Sequence, residues 1–182
     1  MGLLFISQLV GCATAPLSNN PERSALPRLV LLVRYAERTF GQDDDPSLTP
    51  LGIERAQALA TTLRDAGVTA IITTELRRTR ETAQPLGTVL GITPEVVPVR
   101  GQKAAPHGDA VAAAVRRHKD GIVVVVGHIM VTGVIAALGG PRLPTICEDV
   151  FSTLFVFVPA AGEDGLIRLR YGAPEKISPT CR

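Results

Sequence analysis

An unbroken apolar run that leads directly into charged residues is the feature that most constrains how this chain can fold. Residues 29–33 are Leu, Val, Leu, Leu and Val; they follow Pro27 and precede Arg34, Tyr35 and Glu37. A run of this length and branching is typical of a strand buried on both faces of a sheet. Because open α/β sheets bind their ligands at the carboxyl ends of strands, we predict that Arg34 and Tyr35 belong to a functional site.

Strands and helices are predicted to alternate along the rest of the chain. The apolar patterns predict strands at residues 29–33, 68–73, 95–99, 122–126, 151–158 and 166–171, and helices at 51–66, 75–90, 109–118 and 130–138. Pro85 is expected to break the second helix, and residues 101–107 to form a loop. Helical crossovers favour parallel pairing, whereas the short turn at 159–165 predicts an antiparallel hairpin. The predicted fold class is a three-layer α/β/α sandwich with a mostly parallel central sheet, in one domain over residues 28–182.

The composition is that of a globular domain without an obvious polyanionic partner. Of the 182 residues, 46% are hydrophobic and 20% are charged, which is ordinary for a folded core. A net charge of +2 is too small to predict a nucleic-acid partner or electrostatic binding to an anionic membrane. The three His are far apart and no CxxC pair occurs, so we expect neither a metal site nor a cofactor.

The N-terminal residues form a short apolar run that ends in Leu9, Val10, Gly11 and Cys12. This ending resembles the lipobox of bacterial lipoproteins, in which the cysteine is lipidated and becomes the mature N-terminus. The resemblance implies a signal segment at 1–12 and a protein of the bacterial cell envelope, lipid-anchored or periplasmic, that meets the membrane only through the anchor. Residues 13–27 are rich in Ser, Asn, Pro and Ala and are predicted to form a tether. The alternative is an apolar tail, because no Lys or Arg precedes the run.

Two further cysteines follow the tether. In an oxidising periplasm Cys147 and Cys181 are candidates for a disulfide bond. The alternative is a pair of free thiols, since the sequence does not establish that the two residues are close in space.

Cationic groups follow three predicted strands. Arg34 ends the first strand, His128 follows the β-branched run at 122–126, and Arg78 lies in an arginine cluster at the start of the helix after the second strand. A helix N-terminus directs its amides and positive dipole towards the same edge. Cations that converge on a helix N-terminus predict an oxyanion pocket, most simply for phosphate.

Four motifs in this order resemble the histidine phosphatase superfamily, in a short single-domain form of the phosphoglycerate-mutase-like fold. They are residues 32–37 (LVRYAE), 48–52 (LTPLG), 73–83 (TTELRRTRETA) and 125–128 (VVGH). The resemblance implies that Arg34 and Arg78 bind phosphate, that His128 is the second, phosphate-contacting catalytic His, and that the ligand is phosphate or a phosphorylated small molecule.

The nucleophile position of the family carries Tyr35 in this chain. The family uses a His there and forms a phosphohistidine, whereas an unperturbed phenol with a pKa of about 10 is only about 0.1% ionised at neutral pH. A small polar run that commonly follows the second His is replaced by Ile129, Met130 and Val131. We therefore predict a pseudoenzyme-like domain that keeps the oxyanion pocket but is impaired or inactive as a phosphatase.

Two alternatives remain open at this point. One is an active phosphomonoesterase with another nucleophile, either Tyr35 or a recruited His107, and with Asp109 as a candidate general acid. The other is an envelope interaction scaffold that binds no phosphate.

Overall fold

The computed structural model describes residues 26–41, 43–99, 101, 104–128 and 131–175. The predicted signal segment, Cys12 and Cys181 lie outside these residues, as does most of the predicted tether. The division into signal segment, tether and domain therefore stays a prediction.

A six-stranded sheet with the order β3-β2-β4-β1-β5-β6 forms the centre of the molecule. Its strands are β1 (Leu29–Arg34), β2 (Ala70–Thr73), β3 (Glu95–Val96), β4 (Ile122–Gly127), β5 (Thr153–Phe157) and β6 (Leu166–Arg170). The first four pair in parallel, β5 runs antiparallel to β1, and β6 runs antiparallel to β5. The sheet is thus mostly parallel with an antiparallel hairpin at one edge, and a short 3₁₀ segment at Pro159–Gly165 joins the hairpin strands.

Two helices cover each face of the sheet. They are α1 (Pro50–Leu63), α2 (Arg77–Leu90), α3 (Ala104–Arg116) and α4 (Val131–Ala137). Helices α1 and α2 pack together on one face, and α3 and α4 pack together on the other. The predicted three-layer α/β/α sandwich is confirmed.

The apolar runs of β1 and β4 explain why the sheet is central. Side chains alternate between faces along a strand, so Val30 and Leu32 enter the core beneath α3 and α4, while Leu31 and Val33 enter the core beneath α1 and α2. Every residue of β4 is buried in the same way. A strand that supplies two cores cannot alternate apolar and polar residues, which is why both runs are continuous.

Helix α2 continues through Pro85, so the predicted break is wrong. A proline inside a helix removes one backbone hydrogen bond and costs about 3 kcal/mol. On either side of Pro85, however, the helix buries Thr82, Ala83, Leu86 and Gly87 against the sheet. Burial of both halves on one continuous face outweighs the local cost.

Helix α3 begins at Ala104, so the predicted loop at 101–107 is also wrong and His107 lies in a helix. Pro106 falls in the first turn, where a helix needs no backbone donor, and it is therefore compatible with an early start. Strand β3 is shorter than predicted, because the prolines at positions 94 and 98 flank a pairing of only two residues.

Candidate functional site

The carboxyl ends of β1 and β4 lie side by side and bring Tyr35 next to His128. Arg34 is in register with Gly127, and the Tyr35 amide donates to the Gly127 carbonyl at 2.9 Å. The rings of Tyr35 and His128 have centroids 5.6 Å apart and are tilted by 52°. Parallel pairing of these two buried strands therefore builds the centre of the site.

Arg34 is buried, and the segment before β5 wraps around it. Its Nη1 donates to the carbonyls of Cys147 (2.9 Å), Glu148 (2.7 Å) and Val150 (3.2 Å). Its Nη2 donates to the Tyr35 hydroxyl at 3.2 Å. The guanidinium also stacks on Phe151, with 4.3 Å from its central carbon to the ring centroid. These contacts fix the plane of the guanidinium beside the phenol.

Arg78 also lies close to Tyr35. Its guanidinium carbon is 5.0 Å from the Tyr35 ring centroid, and its Nη1 is 3.8 Å from Asp45 Oδ1. The same Asp45 oxygen accepts a hydrogen bond from the Arg77 amide at 2.8 Å. A carboxylate of the chain thus occupies the N-terminus of α2, where the sequence predicted that an external anion would bind.

The electrostatic environment favours the ionised form of Tyr35. Burial by itself raises the pKa of this phenol, but the hydrogen bond from Arg34 and the positive charges around the ring outweigh burial. The pKa of Tyr35 is therefore lower than usual. A phenol hydroxyl that accepts from a guanidinium occupies the kind of position that an anionic oxygen favours.

His128 is held neutral at physiological pH. Burial and the positive charges of Arg78 and Arg34 lower its pKa from 6.5 to about 4. A neutral imidazole can accept one hydrogen bond and donate another, so it can contact either a hydroxyl group or an anionic oxygen of a ligand.

Two buried guanidinium donors have no acceptor among the described residues. They are Nε of Arg34 and Nε of Arg78, the two arginines close to Tyr35. Buried donors are nearly always satisfied in folded proteins, so two unsatisfied cationic donors beside one ring indicate the position of an additional acceptor.

A small cavity of about 20 Å³ lies beside His128, and His107 and Thr73 help to line it. His107 Nδ1 and Thr73 Oγ1 are both buried without a hydrogen-bond partner in the described part of the chain. Burial lowers the pKa of His107, although a hydrogen bond with the Pro98 backbone opposes this. Asp109, the candidate general acid, is exposed on α3 and does not line this cavity.

Sequence reasoning missed Arg38. Its side chain is half-buried; it helps to lower the pKa of Tyr35 through a side-chain hydrogen bond, and its charge helps to lower the pKa of His128. The only signal in the sequence was its position three residues after Tyr35.

Glu37 has a structural role in the same loop. Its carboxylate accepts two hydrogen bonds of 2.9 Å from Arg55 Nε and one of 2.6 Å from Nη2. Arg55 Nη1 donates to the carbonyls of Tyr171 and Ala173. This buried pair anchors the loop after β1 to helix α1 and to the segment after β6.

Two further sequence predictions concern metal binding and a disulfide bond. Among the described residues, no group of three or more His, Cys, Asp or Glu is placed to hold a metal ion. Cys147 takes part in a disulfide bond. Because Cys12 and Cys181 both lie outside the described residues, its pairing with Cys181 stays a prediction.

Comparison with known families adds an independent line of evidence. Residues 32–99 match the profile of the "Histidine phosphatase superfamily (branch 1)". The chain is also 39% identical over 71 residues to a protein of Yersinia pestis named "Probable phosphoglycerate mutase GpmB". That match covers 35% of this chain and 33% of the relative, so the similarity spans about a third of the length of these curated proteins.

Solved structures resemble most of the chain. A mycobacterial glucosyl-3-phosphoglycerate phosphatase in complex with inorganic phosphate has a TM-score of 0.57 at 17% identity, over 80% of this chain and 96% of that one. A phosphoserine phosphatase from Entamoeba histolytica in complex with 3-phosphoglyceric acid has a TM-score of 0.56 at 15% identity, over 80% and 97% of the two chains. At these identities the similarity shows the fold. The chain therefore has the fold of these phosphatases, and its residues 32–99 resemble the histidine phosphatase superfamily.

Proposed function

We propose that this domain binds phosphate or a phosphate monoester between Arg34, Arg78 and His128, and that it hydrolyses phosphomonoesters slowly or not at all. The observation that carries the proposal is the placement of Tyr35, whose hydroxyl is 3.2 Å from Arg34 Nη2 and whose ring centroid is 5.0 Å from the guanidinium carbon of Arg78. The side chain at the nucleophile position thus lies close to two guanidinium groups.

The chemistry of the pocket supports an oxyanion ligand. The unsatisfied Nε donors of Arg34 and Arg78 require acceptors, and a phosphate group offers several strong ones. Neutral His128 adds a group that can accept one hydrogen bond and donate another. The solved structures of similar fold are of phosphatases, and one of them holds inorganic phosphate.

Low turnover follows from Tyr35, which stands where the resembled family has its nucleophilic His. In a first step the phenolate oxygen would form a bond to phosphorus while the phosphorus–oxygen bond of the ester breaks, and the alcohol would leave with a proton taken from water. In a second step water would have to cleave the resulting aryl phosphate, which is kinetically far more stable than the phosphorus–nitrogen bond of a phosphohistidine. Loss of a nucleophile typically costs roughly 10⁴- to 10⁶-fold in turnover.

A second candidate is an active phosphomonoesterase that uses Tyr35 as its nucleophile. The lowered pKa of Tyr35 favours it, because a larger phenolate fraction is available for attack.

Hydrolysis of p-nitrophenyl phosphate by the wild type, Tyr35→Phe and Tyr35→His separates the two candidates. We expect wild-type turnover close to that of Tyr35→Phe, and a gain in Tyr35→His. Substantial wild-type turnover that Tyr35→Phe abolishes would instead establish the second candidate.

Calorimetry with inorganic phosphate tests the pocket itself. We expect binding by the wild type and its loss in the Arg34→Ala, Arg78→Ala double variant. Unchanged binding in the double variant would refute the assignment of the pocket. No binding by the wild type would leave an interaction scaffold as the better description.

We also propose that Cys12 is lipidated and tethers the domain to the bacterial cell envelope; the lipobox-like ending at residues 9–12 supports this. In the part of the chain that the structure describes, no helix is long and apolar enough to cross a membrane. Metabolic labelling with a palmitate analogue should mark the wild type but not Cys12→Ala, and equal labelling would refute the anchor.

A further inference from the structure

Phe40 is the most exposed large apolar side chain among the described residues, with 88% of its surface accessible. Single exposed apolar residues are common and often carry no function. Phe40 differs because its ring lies 5.3 Å from the guanidinium carbon of Arg38, which in turn acts on Tyr35 and His128. The Phe40 ring therefore contacts the guanidinium of Arg38, and that guanidinium acts on the two rings at the centre of the site.

The segment that carries Phe40 is held at both ends. Arg38 forms a β-bridge with Leu48, and the Thr39 amide donates to the Ser47 carbonyl at 2.8 Å. Further along, Asp45 is bound to the first turn of α2 through the Arg77 amide. Phe40 thus directly follows the anchored residues Arg38 and Thr39, and its ring lies 5.3 Å from the guanidinium carbon of Arg38.

The charges around Tyr35 favour a phosphate ligand that carries an organic group. Arg34, Arg38 and Arg78 surround Tyr35, and Asp45 is the carboxylate that approaches Arg78. The excess positive charge favours a dianionic phosphate. An organic group that extends from such a phosphate past Arg38 would meet the exposed ring of Phe40.

We propose that Arg38 and Phe40 form a subsite for the organic group of an aryl phosphate monoester. Arg38 contacts the phosphate side of the ligand, and Phe40 stacks against its aromatic ring. Offset stacking of two rings gives about a three- to tenfold gain in affinity, which a small alkyl group does not obtain. This inference rests on the proposed oxyanion pocket and adds the class of ligand to it.

The test is calorimetric binding of phenyl phosphate and methyl phosphate to the full chain. We expect phenyl phosphate to bind the wild type about three- to tenfold more tightly. Phe40→Ala should reduce this ratio to less than about twofold, and Phe40→Leu should reduce it as well, because leucine keeps apolar area but has no ring. Ile167→Ala is the matched control, since Ile167 is an exposed apolar residue on β6.

Each of the other possible outcomes overturns a stated part of the proposal. Equal binding of the two esters by the wild type, or a preference that persists in Phe40→Ala, overturns the subsite while the pocket stands. A full preference in Phe40→Leu overturns ring stacking. No binding of inorganic phosphate or of either ester by the wild type overturns the proposed pocket, and the subsite with it.

Discussion

Arg34 at the end of β1 and Arg55 in α1 are both buried, but the groups that surround their charges differ. Arg55 faces carboxylates: it is bound bidentately to Glu37 and lies 3.4 Å from Glu175. Arg34 faces three carbonyls, a phenol and an aromatic ring, and none of the described carboxylates forms an ion pair with it. A compensated buried charge holds a fold together, whereas an uncompensated one attracts an anion.

The pKa of Arg55 reflects this compensation. Burial by itself lowers it, but the contact with Glu37 and the charge of Glu175 raise it above its usual value. Arginine is thus a structural tie at Arg55 and, by our proposal, a ligand-binding group at Arg34.

The largest expected effect is on folding stability in Arg55→Met. Removing one partner of a buried ion pair leaves the other uncompensated, and the cost is about 3–5 kcal/mol. Urea denaturation followed by circular dichroism measures it. The exposed Arg64→Met is the matched control and should change stability by less than about 0.5 kcal/mol. A loss below about 1 kcal/mol in Arg55→Met would show that Arg55 is not the tie that its contacts indicate.

An intermediate effect is expected when phosphate is added. A ligand at 100 times its dissociation constant stabilises the folded state by about 2.7 kcal/mol. The wild type should gain this stabilisation, and Arg78→Met should lose it. Any Arg55 variant that still folds should keep it. If phosphate stabilised the Arg78→Met variant as much as the wild type, the distinction between ligand-binding and structural arginines would not hold.

The smallest expected effect is a pH dependence that comes from His128. Its pKa is about 4 in the folded protein and about 6.5 when unfolded, so between these values the unfolded chain binds a proton that the folded chain does not. Stability should therefore fall as the pH drops from 6.5 to 4. After allowance for partial exposure of the ring, the expected loss is on the order of 1–2 kcal/mol.

Chemical denaturation of the wild type and His128→Gln across this range isolates the contribution. His107, whose pKa is also lowered, contributes with the same sign in both proteins. The stability curve of His128→Gln should be flatter than that of the wild type. Parallel curves would show that the imidazole titrates normally.

The sequence predicted those elements whose signal is local. The runs that became β1 and β4, the hairpin of β5 and β6, and the alternation that gives a parallel sheet could all be recognised, because burial on both faces demands continuous apolar residues. The continuation of α2 through Pro85 could not be recognised from the sequence. The burial that outweighs the local cost of the proline comes from packing against the sheet.

The site shows the same division between local and distant signals. Arg34 and Tyr35 could be singled out from the end of a buried strand. The partnership of Glu37 with Arg55 joins residues 18 positions apart in a buried contact, and no pattern in the sequence specifies it. Arg38 was missed because its role depends on a loop whose other side is fixed by Ser47 and Leu48.

The carbonyls that hold Arg34 have a consequence for the order in which the molecule assembles. They belong to a segment 113–116 residues further along the chain. Contacts of such sequence separation form only after most of the chain has been brought together, because the entropy of closing the intervening loop must first be overcome. The guanidinium therefore reaches its final orientation late in folding. A local opening of residues 147–150 would dismantle the anion pocket while the central strands stay paired.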